Sequence, residues 1–273
     1  MKKYAVDGHE DSWLPEGFQW KLVWGDEFDG DALDTDKWDF RTTMMGKVHP
    51  AWTRNGVRLD GKGNVEFKLI IEDGRPVSSQ LQTGYNFMDQ PVVPTKFGND
   101  YLQWPIGKLH QSKFLHKYGY FECRCRLQQK PGWWSAFWIQ SPIIGASLDT
   151  GQVGAEIDVM ESFRPGQIAK HYVHARGYGL DRVSVGTDKE HTGLSVEEFH
   201  RFGVLWDETG YTFYINGVED GRVTENISHC PEFILISTEV SGYRGKDHAP
   251  VQAAFDNVGD TFLVDYVRVF DVV

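Results

Sequence analysis

The chain has 273 residues, of which 40% are hydrophobic and 14% aromatic, enough to build the core of one large domain. Its formal net charge of −11 argues against a nucleic-acid partner or an anionic membrane surface. No run of 18 apolar residues predicts a membrane span, and the start of the chain lacks the apolar stretch of a signal peptide. Location therefore stays open, because a signal peptide that has been removed leaves no trace in the sequence.

Short strand-like segments follow one another along the whole chain, whereas helical patterns are scarce. Many of them alternate apolar and polar residues, as half-buried strands do. Asn216 and Gly217 predict a hairpin turn, and the irregular segment 85–113 predicts a long loop region. These patterns predict an all-β sandwich of two antiparallel sheets. The predicted strands are 20–24, 65–71, 118–127, 135–140, 155–160, 171–178, 202–206, 211–215, 233–240 and 262–270.

The three cysteines do not form a disulfide framework. Cys123 and Cys125 are two residues apart on one predicted strand, too close for easy bridging, and Cys230 leaves an odd count. A second cysteine pair that would complete a zinc site is missing from the sequence. We therefore interpret them as free thiols in a packed interior.

Three carboxylates lie within six positions of the apolar stretch "GAEIDVMESF". On a regular strand Glu156 and Asp158 share one face, while Glu161 points to the opposite face. One extra residue, a β-bulge between Asp158 and Glu161, would bring all three to the same face. We predict this bulge, because bulges are common beside active sites.

Carboxylates crowded on one face raise at least one pKa, so one group keeps its proton near neutral pH while a neighbour is ionised. Glycoside hydrolysis needs this combination of a carboxylate nucleophile and a carboxylic acid. The alternatives are a solvated acidic strand face or a calcium site, and spacing alone does not exclude them.

The segment "PGWWSAFWIQSP" adds aromatic residues just upstream. Trp134 and Trp138 are four residues apart, so on a strand they share a face, where they could stack against sugar rings. Trp133 and Phe137 would then face the core. Burial of all four residues in the core is the competing interpretation.

At this point the sequence resembles glycoside hydrolase family 16 over nearly its whole length. Five segments carry the resemblance in the order of the family, and "GAEIDVMES" is similar to its E-x-D-x-x-E signature. That signature is typical of the branch that contains laminarinases, agarases and porphyranases, whereas lichenases resemble E-x-D-x-E. The other segments are "WGDEFDGDALDTDKW", "KYGYFECRCRLQQKPGWWSAFWIQ", "FHRFGVLWDETGYTFYINGVE" and "VDYVRVF".

The resemblance implies a concanavalin-like jelly-roll sandwich of two curved sheets with a concave cleft. It implies a retaining double displacement in which Glu156 is the nucleophile, Glu161 the acid/base and Asp158 the assisting carboxylate. Calcium in many members lies on the convex side, and the resemblance implies a structural Ca²⁺ here, held by Glu27, Asp265 and a backbone carbonyl near Gly61 or Gly63.

We therefore interpret residues 1–273 as a single catalytic domain, an endo-acting β-glycoside hydrolase that acts as a monomer. Its partner would be a polysaccharide or oligosaccharide, either laminarin-type β-1,3-glucan or a red-algal type of galactan, and its chemistry requires no cofactor. A non-catalytic carbohydrate-binding module and a transglycosylase stay as alternatives. The residues expected to bind substrate are Trp134, Trp138, His174, Asn55, Arg58 and Arg176.

Overall fold

The computed structural model describes residues 1–89 and 109–273. In chain order its first strands are β1 (Lys2–Tyr4), β2 (Ser12–Leu14), β3 (Trp20–Asp26), β4 (Asp39–Phe40), β5 (Thr43–Met44), β6 (Lys47–Val48), β7 (Val57–Leu59), β8 (Val65–Lys68), β9 (Ile70–Glu72), β10 (Arg75–Val77) and β11 (Gln80–Gln82). They are followed by β12 (Gly119–Arg126), β13 (Trp133–Gln140), β14 (Glu156–Ser162), β15 (Gln167–Ile168), β16 (Tyr172–Ala175), β17 (Val183–Gly186) and β18 (His191–Thr192). The last are β19 (His200–Asp207), β20 (Gly210–Ile215), β21 (Val218–Val223), β22 (Phe233–Val240) and β23 (Thr261–Val272). In the described residues, helical structure is limited to α1 (Thr150–Val153), α2 (Gln252–Asp256) and a 3₁₀ turn at Phe87–Asp89.

Two antiparallel sheets form the body of the protein. One has seven strands in the order β17-β16-β14-β13-β22-β11-β4. The other has eight, in the order β21-β20-β19-β12-β23-β8-β7, with β3 paired to β23. More than half of these neighbouring pairs join strands that are not consecutive in the sequence, so long-range pairing largely decides which strands meet.

The main core lies between the two sheets. Trp133 and Phe137 of β13 meet Phe121 and Trp206 of the eight-stranded sheet there, and all four side chains are buried. The predicted core role of Trp133 and Phe137 is confirmed. Alternation along β13 then turns its even-numbered residues to the outer face of the seven-stranded sheet, where the site described below lies.

A second apolar layer covers the outer face of the eight-stranded sheet. Leu14 packs there with Trp20, Tyr120 and Phe270. Glu122 is buried beneath this layer and accepts hydrogen bonds from the Trp13 amide at 3.1 Å and the Tyr266 hydroxyl at 2.7 Å. This side of the sandwich is therefore closed by the first residues of the chain.

All ten strands predicted from the sequence are present, although most differ by one to three residues at their ends. The turn between β20 and β21 is confirmed, because Asn216 and Gly217 have positive φ angles of 50° and 78°. Cys123 and Cys125 are buried free thiols, and Cys230 is a half-buried free thiol. Of the predicted loop 85–113, residues 90–108 lie outside the described part of the chain. Within the described ranges, no helix is long and apolar enough to cross a membrane.

Candidate active site

The predicted bulge in β14 is confirmed by the pairing between β13 and β14. Trp138 pairs with Asp158 and Phe137 with Met160, so Val159 is the extra residue. Val159 and Met160 are consecutive, and both belong to the core between the sheets. This resets the alternation, and Glu161 joins Glu156 and Asp158 on the outer face of the sheet.

An open cleft of about 930 Å³ lies over that face. Its floor is formed by residues of β13, β14 and β16, and one wall carries Met44 and Met45 from the β5–β6 hairpin. All three predicted catalytic carboxylates line it, together with Trp134, Trp138 and His174. The structure thus brings the carboxylates, both tryptophans and His174 into one site.

Glu156 is held by two donors on one oxygen. Gln140 Nε2 donates to Glu156 Oε2 at 3.1 Å, and the Tyr178 hydroxyl donates a short hydrogen bond to the same oxygen. The two hydrogen bonds fix the orientation of this carboxylate. This arrangement suits a group that acts as a nucleophile.

Asp158 lies deeper than its two companions, with 5% of its surface exposed. Burial, followed by the charge of Glu156, raises the pKa of Asp158 well above its usual value. His174 Nε2 is 3.1 Å from Asp158 Oδ2 and is oriented by Ser184, whose hydroxyl lies 2.6 Å from His174 Nδ1. Asp158 is therefore suited to share a proton with the groups around it.

Glu161 combines access to the cleft with a carboxyl group that tends to stay protonated. Burial raises its pKa well above the usual value, and the nearby Asp158 and Glu156 raise it further. A carboxyl group that keeps its proton near neutral pH can act as a general acid. The surroundings of the two glutamates therefore differ, because Glu156 accepts two hydrogen bonds from neighbouring side chains.

The two cleft tryptophans differ in exposure. Trp134 is half-buried beside the guanidinium of Arg244, which lies 5.2 Å from the ring centre. Trp138 is only 8% exposed, and its indole nitrogen donates to the Ser237 hydroxyl at 2.6 Å. Trp134 is thus better placed to offer a ring face to a ligand.

Several charged residues of the cleft were not identified from the sequence. Arg244 forms a bidentate pair with Glu239, at 2.7 and 2.8 Å, and Arg41 pairs with Asp89 at 2.6 Å. Arg182 is exposed and also lines the cleft. These residues lie far apart in the sequence, and no motif connects them with the signature.

Three predicted substrate-binding residues do not line the cleft. Arg58 lies on β7, a strand of the other sheet, and donates a hydrogen bond to Glu66 at 2.6 Å. Asn55 lies just before β7 and donates a hydrogen bond to Glu72. Arg176 is half-buried, and its Nε is buried with no hydrogen-bond partner among the described residues. The strand order and the turn after β16 place these three residues outside the cleft lining, and their contact with substrate stays a prediction.

The residues predicted to hold calcium do not form a ligand set. Both oxygens of Glu27 accept from Arg268, at 2.8 and 2.7 Å, and Asp265 accepts from Arg124 at 2.6 Å. Gly61 belongs to an exposed turn after β7. Because arginines already neutralise both carboxylates, this arrangement does not fit a calcium ion.

The fold and the cleft define the class, a β-sandwich protein with three carboxylates and two tryptophans in one open cleft. The model of the glycosyl hydrolases family 16 matches residues 51–266, and the chain belongs to this family. The predicted jelly-roll fold and the resemblance found in the sequence are confirmed.

Individual relatives are more distant. The chain is 25% identical to glucan endo-1,3-beta-glucosidase A1 of Niallia circulans, over 91% of this chain and 37% of the relative. It is 24% identical to beta-porphyranase E of Zobellia galactanivorans, over 93% of this chain and 88% of the relative. The solved endo-beta-1,3-glucanase of Pyrococcus furiosus superposes with a TM-score of 0.65 at 23% identity, over 94% of this chain and 97% of that one.

Proposed function

We propose that this chain is a retaining endo-β-glycanase that cleaves internal bonds of a polysaccharide. The observation that carries the proposal is the bulge at Val159, which places Glu156, Asp158 and Glu161 on one face of β14 in an open cleft. An open cleft admits the middle of a long chain, which favours endo action. The residues 1–273 would act as a single, monomeric catalytic domain.

In the first step Glu156 attacks the anomeric carbon, and the bond from that carbon to the glycosidic oxygen breaks. Glu161 gives its proton to the departing oxygen. In the second step Glu161 takes a proton from water, and the resulting hydroxide displaces Glu156 from the anomeric carbon. Asp158 orients Glu156 and exchanges hydrogen bonds with it as its charge changes.

The substrate proposed first is a β-1,3-glucan of the laminarin type, with a red-algal galactan as the second candidate. Support for the first comes from the endo-1,3-beta-glucanases among the relatives, and support for the second from the porphyranase. The chain spans about a third of the length of the first curated relatives, at 37%, 32% and 32%. The proposal therefore concerns only the part of those relatives that this chain matches.

The test is a panel of laminarin, mixed-linkage glucan, agarose, porphyran and carrageenan, with reducing ends and product sizes recorded. We expect short oligosaccharides early in the reaction from one class of substrate. Binding without new reducing ends would instead indicate a carbohydrate-binding module. Products longer than the starting oligosaccharide would indicate a transglycosylase.

A Glu156→Ser variant tests the assignment of the nucleophile. It removes the attacking carboxylate but leaves the cleft walls intact, so oligosaccharide binding should persist while turnover becomes negligible. Isothermal titration calorimetry and a reducing-end assay measure the two properties separately. Turnover near that of the unaltered protein would contradict the assignment.

A further inference from the structure

The bulge leaves a buried carbonyl group without a partner strand. Pairing with β13 passes over Val159, and pairing with β16 stops one residue earlier, at Asp158 and Tyr172. A buried carbonyl without a hydrogen bond is costly, so a donor is expected nearby. His171, the residue immediately before β16, supplies it: its Nδ1 is 2.8 Å from the Val159 oxygen.

His171 is itself fixed from the opposite side. Its Nε2 is 3.0 Å from Asp220 Oδ2 on β21, a strand of the other sheet. Its ring stacks on Phe213 with centres 4.5 Å apart and planes within 4°, and only 1% of its surface is exposed. The His171 amide donates a hydrogen bond to the Thr187 hydroxyl, and the Thr187 amide donates one to the His171 carbonyl.

The two contacts define what the ring must do. The Val159 carbonyl and the Asp220 carboxylate are both hydrogen-bond acceptors, so the ring bridges the bulge in β14 and strand β21. Although burial raises the pKa of Asp220, hydrogen bonds from His171 and His191 hold it below its usual value, and the group stays a carboxylate. The charged acceptor therefore keeps the imidazole oriented toward the bulge.

We propose that His171, anchored by Asp220, is a positioning residue that fixes the bulge and thereby the direction of Glu161. The Ala169 amide donates to the Glu161 carbonyl at 2.8 Å, so residues 169 and 171 hold the backbone on both sides of Met160. This inference rests on the proposed role of Glu161 as acid/base. The sequence signature contains neither His171 nor Asp220.

The expected consequence is selective. A general acid must reach the departing oxygen within hydrogen-bond distance, and a displacement of about 1 Å costs on the order of 100-fold in rate. Polysaccharides need this proton because their leaving group is a sugar alkoxide. A dinitrophenyl glycoside does not need it, because its leaving group departs as a stable anion.

The experiment compares kcat/KM for the cleaved polysaccharide and for the dinitrophenyl glycoside of the matching oligosaccharide. His171→Phe keeps an aromatic ring against Phe213 but removes both hydrogen bonds. We expect about a 100-fold loss on the polysaccharide and little change on the aryl glycoside. His171→Asn returns a short amide donor near the Val159 carbonyl and should recover part of the loss.

Two further variants serve as references. Glu161→Gln gives the size of the selective loss when the acid itself is removed. His191→Gln is the matched control, because His191 Nε2 lies 2.6 Å from the other oxygen of Asp220, Oδ1, glutamine keeps a donor for that oxygen, and the bond from His171 to Val159 is untouched. It should behave as the unaltered protein on both substrates. If His171→Phe does not fold, Asp220→Asn, which keeps the ring in place, is expected to show a smaller selective loss.

Equal losses on both substrates, or no loss on either, in the His171 variants would overturn the inference while leaving the proposed function intact. If Glu161→Gln itself does not separate the two substrates, the acid/base role of Glu161 is wrong and the inference falls with it. The two failures are thus distinguished by the Glu161 variant.

Discussion

Glu232 provides a prediction about stability that can be worked out from its surroundings. The residue is fully buried, Oε1 accepts from the Ala155 amide at 2.9 Å, and Oε2 is buried without a partner among the described residues. Burial is the main cause that raises the pKa of Glu232 from 4.5 to about 8. An acid with a raised pKa in the folded state favours folding less as pH rises, because ionisation is easier in the unfolded chain.

The size of the effect follows from the two pKa values. Below pH 4.5 the shift has no effect, and between pH 4.5 and 8 the free energy of unfolding falls by about 1.4 kcal/mol per pH unit. This amounts to roughly 3 kcal/mol at pH 7 and approaches about 5 kcal/mol above pH 8.

Glu232→Gln removes this titration but keeps an oxygen for the Ala155 amide. The difference in unfolding free energy between Glu232→Gln and the unaltered protein should therefore shift in favour of the variant as pH rises from 5 to 8. Urea unfolding followed by tryptophan fluorescence at each pH measures it. A difference that stays constant across this range would refute the reasoning, whatever its sign.

Three further predictions concern the cleft. Because the pKa of Glu161 is raised, hydrolysis of the polysaccharide should persist at neutral pH and fall at alkaline pH, whereas cleavage of the aryl glycoside, which does not need the acid, should lack this alkaline limb in its kcat/KM profile; an equal limb with both substrates would belong to another group. Trp134→Ala should raise KM about 10-fold with little change in melting temperature, because the ring is half-exposed, whereas loss of the buried ring in Trp133→Ala should lower the unfolding free energy by about 3–5 kcal/mol. The reverse pattern in binding and melting assays would contradict the placement of the two tryptophans. Arg244→Met leaves the buried carboxylate of Glu239 unpaired and should lower the unfolding free energy by about 1–3 kcal/mol in urea titrations. Adding Glu239→Gln should restore most of this lost stability, and no recovery would mean that the unpaired carboxylate is not the cause of the loss.

Some features of the site could be read from the sequence because their cause is local. Alternation along 133–140 placed Trp134 and Trp138 on one face and Trp133 and Phe137 on the other, as the structure has them. The bulge was predictable because side chains alternate between the two faces of a strand, so one extra residue moves every later side chain to the opposite face.

Other features of the site could not be predicted from the sequence, because they depend on contacts between residues that are distant in the chain. Asn55 and Arg58 looked suitable by residue type, but strand β7 pairs with β8 in the sheet that does not carry the cleft. Tyr178 was not identified, because it is 22 residues from Glu156 and reaches it only through the turn after β16. The fit to calcium failed at Glu27 because Arg268 comes from the far end of the chain.

The sequence by itself determined the strands, the hairpin turn, the family and the three carboxylates, because each depends on periodicity or on a contiguous motif. Only the tertiary structure decided which cations and hydrogen-bond donors meet those carboxylates. Strand order in the two sheets brings together residues more than a hundred positions apart, and burial there sets the pKa values. Neither quantity has a local signal, since both arise from long-range packing.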